Sequence, residues 1–112
     1  NTWGTPEVAG SVLQKLRVAC EKEGRDFSTV RKSVQPLFFL VADDASAEKL
    51  RSLVPADRSV IGTPSQLVDI VGEYKELGFD EICVPDFTLG QSAQERLANY
   101  TTFWNEVAVH FR

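Results

Sequence analysis

The sequence contains no methionine, one histidine and two cysteines. Cys20 and Cys83 lie far apart inside apolar patterns, with neither a second cysteine nor a histidine at ligand spacing. They are expected to be buried, reduced thiols. His110 stands two residues from the carboxyl end, a place of fraying and helix-end charge complementation rather than chemistry. Metal sites built on His or Cys, and Ser-His or Cys-His nucleophile systems, are thereby excluded, and no residue is nominated as catalytic. Gly-x-Gly is absent, as is a glycine loop ending in Gly-Lys-Ser/Thr, so the usual nucleotide-binding fingerprints are missing. With 12 basic against 16 acidic residues, a formal charge of −4, and no basic block, the chain offers no face for a phosphate backbone, and nucleic acid is not an expected partner. The longest apolar stretch, Pro36 to Ala42, is far short of the roughly 20 residues of a membrane-spanning helix. No charged-then-apolar leader opens the chain. A soluble, cytoplasmic protein without a membrane partner is expected.

What is present is enough for one domain. Chains use about 100–200 residues per domain, and these 112 residues form a single unit over 1–112. Leu, Ile, Val and Phe make up about 29% of the chain, above the roughly 20% below which disorder prevails.

Gly4-Thr5-Pro6-Glu7 places a capping hydroxyl ahead of a proline suited to the first helical position. Val8, Val12, Leu13, Leu16, Ala19 and Cys20 then recur at helical spacing up to Gly24, a C-cap candidate. Ser33 to Ala42 (SVQPLFFLVA) is an apolar run without polar alternation, the pattern of a parallel strand covered on both faces. Its Pro36 belongs near the beginning or where no ladder bond is needed. Ala45 to Leu53 reads as a short helix closed by Pro55. Gly62-Thr63-Pro64-Ser65-Gln66 repeats the opening device with a capping box. Leu67, Ile70, Val71, Tyr74 and Leu77 form the buried stripe, and Gly78 the stop. Asp80 to Phe87 is a second short strand. Ser92 to Arg112 carries Leu97, Tyr100, Thr101, Trp104, Val107, Ala108 and Phe111 as the stripe of a long closing helix.

Gly4 to Asp26 and Gly62 to Asp80 thus share one plan: Gly-Thr-Pro, amphipathic helix, glycine stop, aspartate, then an apolar strand. Successive units of this kind make an α/β fold with parallel strands. Only two strands are evident, three if Asn1 to Trp3 ends another. So small a parallel sheet cannot cover its faces and edges, and its completion is expected from elsewhere, by self-association or by the remainder of a larger α/β protein.

Gly62 and Thr63, ahead of a helix start, can be read as an anion cradle or as an ordinary cap, and Gly4-Thr5 has the same two readings. Asp43, Asp44 and Asp86 follow strands, where α/β proteins build their sites, although such aspartates also make turns and caps. Trp3, Phe39 and Phe87 can flank an aromatic ligand or fill a core. Asn99-Tyr100-Thr101 matches the glycosylation sequon, but inside the expected closing helix it is a chance match.

Taken in order, Asn1-Thr2-Trp3-Gly4-Thr5-Pro6-Glu7, Gly24-Arg25-Asp26, Ile61-Gly62-Thr63-Pro64-Ser65-Gln66-Leu67, Glu76-Leu77-Gly78-Phe79-Asp80-Glu81-Ile82 and the closing Phe103 to Arg112 resemble the carboxyl-terminal third of the bacterial luciferase-like oxidoreductases. That family comprises flavin monooxygenases and deazaflavin-dependent reductases built on a (βα)8 TIM barrel. The resemblance covers nearly the whole chain. It implies a C-terminal fragment of that barrel holding its last two to three βα units, with Asn1 to Trp3 ending the sixth strand, Ser33 to Ala42 as the seventh and Asp80 to Pro85 as the eighth. It further implies FMN or deazaflavin as cofactor of the parent protein, in hydride transfer or oxygen activation on a small-molecule substrate. Asn1 and Trp3, with Gly62 and Thr63 from the anion reading, are the expected cofactor-binding residues. Asp43, Pro85, Asp86 and Phe87 are expected on the substrate side. Without the first five strands the fragment alone is expected to be inactive and to bind no cofactor. The competing expectations are a self-associating α/β interaction module without redox activity and a small flavodoxin-like ligand-binding domain.

Overall fold

The computed structural model describes all residues, 1–112. The first helix, α1 (Pro6–Glu23), begins as its sequence dictates: Thr5 is extended, its hydroxyl accepts from the Val8 amide, and Pro6 takes the first turn. It ends on Gly24, left-handed at φ 69, whose amide donates to the carbonyls of Cys20 and Glu21. The chain reaches Thr5 through Gly4 at φ 126, a conformation side chains rarely adopt, and a Cβ there would stand 2.8 Å from Val8 Cγ1.

The expected strand Ser33–Ala42 is two pieces, β1 (Ser33–Val34) and β2 (Leu37–Leu40). On one edge, Ser33 O accepts from Thr2 N (3.0 Å) and Gln35 N donates to Thr2 O (2.9 Å); farther along, Leu37 N donates to Arg58 O (2.8 Å) and Val41 N to Gly62 O (3.0 Å). The odd-numbered residues therefore face Thr2 and then β3 (Ser59–Gly62), the parallel partner of β2. The opposite edge carries β4 (Glu81–Ile82), parallel to β1, with Cys83 N donating to Val34 O at 2.8 Å. The next ladder bond would require an N–H at residue 36. Pro36 has none, and the β1–β4 pairing stops there. Thr88 Oγ1 instead donates to the Phe38 carbonyl at 2.6 Å.

β3 is a strand that the sequence reading missed, and the second expected strand, Asp80 to Phe87, shortens to Glu81–Ile82. The architecture is a compact mixed α/β fold of four helices and short parallel strands. α2 (Asp44–Arg51) links β2 to β3, and α3 (Pro64–Leu77) links β3 to β4. α3 opens on the Thr63–Gln66 capping box and stops at Gly78, left-handed at φ 99. α4 (Ala93–Glu106) is capped by Ser92 and gives way to a 3-10 turn over Ala108–His110, so the closing helix is shorter than expected.

The core lies on one face of the strands. Val34, Phe38, Val60, Ala9, Leu13, Leu67, Val71, Tyr74, Phe79, Leu89, Phe103 and Val107 form one buried cluster, fed by α1, α3 and α4. Phe103 meets Phe38 edge to face at 5.1 Å, and Gly10 of α1 lets the helix approach Leu77 of α3. Val41 and Ala47 are buried outside this cluster, which fits a right-handed β2–α2–β3 crossover carrying α2 to the other face. At the level of Thr2, β1 and β4 that other face has no helix, and Asn1, Trp3, Gln35 and Glu81 are exposed on it. The strand read as covered on both faces is covered on both only toward its carboxyl end. No helix is long and apolar enough to cross a membrane.

Candidate functional site

The nominated residues fall into three groups along the strands. At the carboxyl ends of β2 and β3, Asp43 caps α2, its Oδ1 accepting from Ser46 N at 2.8 Å, and those hydrogen bonds hold its carboxyl below the usual carboxylate range. Asp44 Oδ1 accepts from Gln66 Nε2 at 2.9 Å. Gln66 in turn closes the box: Thr63 N donates to Gln66 Oε1 at 3.0 Å, and Gln66 N to Thr63 Oγ1 at 3.4 Å. A Cβ on Gly62 would lie 3.0 Å from the Cβ of Gln66, so glycine is what admits this side chain. Of the two readings of Gly62-Thr63, the hydrogen bonds are those of a capped helix. The Thr63 and Gln66 amides are engaged and Pro64 has none. An anion would find the Ser65 amide alone, beside the Asp44 carboxylate.

Asn1 and Trp3 belong to a second group. Asn1 Nδ2 donates to Ser33 Oγ at 2.9 Å, and Trp3, 49% exposed, lies under the Arg58 guanidinium at 4.5 Å. Thr2 pairs with Val34, six residues before Leu40, which at about 3.3 Å per residue sets this group roughly 20 Å from Gly62 and Thr63 along the strand. The third group bridges the levels: Pro85, Asp86 and Phe87 leave β4 and climb toward Phe38. Asp86 Oδ2 stands 3.9 Å from Arg96 Nε, its carbonyl accepts from Leu89 N at 2.9 Å, and Phe87 is 62% exposed. The four cofactor-side residues thus do not share one pocket.

Two grooves lie elsewhere. One of about 310 Å³ follows the open edge of β3 between α2 and α3, lined by Thr5, Arg51, Val54, Ile61, Ile70 and Glu73. The buried Ser59 hydroxyl beside it has no hydrogen-bond partner. The other, about 400 Å³, follows the open edge of β4 beneath α4, with Ile82, Val84, Tyr100, Trp104, Val107 and Phe111 among its walls. The first groove was overlooked because β3 was. Its signal was there: Val60-Ile61 is a β-branched pair between the turn residues Pro55 and Pro64. The second was hidden because Leu97, Tyr100 and Trp104 read as one stripe with Val107, Ala108 and Phe111 of a single long helix, whereas the first three are 70%, 41% and 49% exposed and Val107 is buried.

Two further groups emerge only in three dimensions. Tyr74, fully buried, donates from its hydroxyl to the Gly4 carbonyl at 2.6 Å, and burial, with the nearby Glu73 charge, pushes the phenol well above its ordinary value. Lys32, 8% exposed, donates from Nζ to Val30 O at 2.6 Å, lies 3.5 Å from Asp80 Oδ2 and packs over Phe27. Asp80 also accepts from Lys32 N at 2.8 Å, which holds its carboxyl below the usual range. This clamp joins the amino ends of β1 and β4, the stability side of a βα fold rather than its chemical side. No three His, Cys, Asp or Glu side chains converge as a metal set would. No protein-family model, curated protein or solved structure matches the chain.

Proposed function

We propose that this chain forms the closing βα units of a (βα)8 barrel oxidoreductase of the luciferase-like class, using FMN or a deazaflavin on a small-molecule substrate. The observation that carries this reading is the array of Thr2, β1 and β4. These are parallel neighbours joined through helices, with their helices on one face and the other uncovered. A barrel has this arrangement, helices outside and strand side chains inside. A flavodoxin-like sheet carries helices on both faces; here α2 covers the second face only toward the carboxyl ends of β2 and β3, and the level of Thr2, β1 and β4 lacks such a cover.

The residues fit the cofactor in part. Trp3 and Asn1, on the uncovered face at the end of the first strand, suit one wall of a planar ring site, with Leu37 and Phe39 of β2 half-buried farther along the same face. The α3 amino end does not suit the phosphate while the capping box is closed. The bound flavin supplies the redox chemistry. In this reading Asn1 and Trp3 orient the ring and keep water from it, and Asp43, Pro85, Asp86 and Phe87 border the substrate at the mouth. The rest of the barrel is the expected partner, meeting β4 along its open edge.

The test is the native polypeptide. A reading frame of about 280–350 residues is expected, within the 200 to over 400 that such barrels span. Its product should bind FMN or a deazaflavin saturably, and Trp3→Ala should weaken that binding. A native product of barrel length with no affinity for either would overturn the oxidoreductase reading. The second reading, a self-associating module, is favoured by the two open edges and by the exposed Leu97, Tyr100 and Trp104 of α4. It predicts a native chain that assembles with itself and never binds flavin.

A further inference from the structure

We draw no further inference here: the strongest candidate, the apolar groove between α3, α4 and the open edge of β4, carries nothing because nothing in the structure shows what covers it.

Discussion

The Tyr74 hydroxyl meets the Gly4 carbonyl from seventy positions away in the chain, so α3 holds the turn that starts α1. Tyr74→Phe leaves that carbonyl unpaired in the interior and is expected to cost about 1–3 kcal/mol, read as a lower urea midpoint at unchanged slope. Because folding raises the phenol's pKa, its contribution is complete below the unfolded value of about 10 and is lost as pH rises through the folded value. The wild-type chain should lose stability above about pH 10, and Tyr74→Phe should lose less over that interval. The opposite sign holds for Asp80. Its depressed carboxyl stabilises the fold above the unfolded value and ceases to do so as pH falls through the folded one. Melting temperature should therefore drop below about pH 4, and Asp80→Asn should flatten that drop while lowering stability at neutral pH. An unchanged acid limb in the variant would assign the acid loss to other carboxylates, of which Asp26 and Asp43 are also held low.

Helix starts and stops were the most legible elements. Thr5, Pro6 and Gly24, and Thr63, Pro64, Gln66 and Gly78, act where the sequence placed them, because caps are decided by residues within a turn of one another. Thr63→Ala should cost about 1 kcal/mol of stability by loss of the cap, measured by thermal melting. The strands were less legible. Pro36 was expected at a tolerated position, but that it divides one run between two partners depends on where β4 ends, far away in sequence. The apolar stripe of the closing segment divides: Val107, Ala108 and Phe111 meet the core, whereas Leu97, Tyr100 and Trp104 are exposed and Phe103, outside the stripe, is the buried residue of α4. Phe103→Ala should cost about 3–5 kcal/mol as a core truncation. Its neighbour Trp104→Gln should leave the melt within about 0.5 kcal/mol, the usual range for surface changes. Equal losses in the two variants would show that Trp104 is covered in solution.

For the whole molecule, two strand edges and a stripe of large apolar side chains are open to water at once. Exposed edges of this kind template further pairing. The isolated chain is therefore expected to self-associate at low micromolar concentration, with a melting temperature that rises with concentration. Sedimentation of a stable monomer at those concentrations would contradict this. The expectation of incompleteness arose from counting two or three strands. It persists with β3 added, since β3 lengthens one edge of the array without adding a lane beyond it.

The sequence by itself determined the α/β class, the parallel direction of the strands and the ends of the helices, because periodicity and capping act over a few residues. Tertiary structure alone decided which edge each half of Ser33–Leu40 pairs with, that Asn1 and Trp3 lie a strand's length from Gly62 and Thr63, that the buried Tyr74 bonds to Gly4, and that Lys32 is buried against Asp80. Those outcomes follow from register and packing between segments tens of residues apart, which no local pattern encodes.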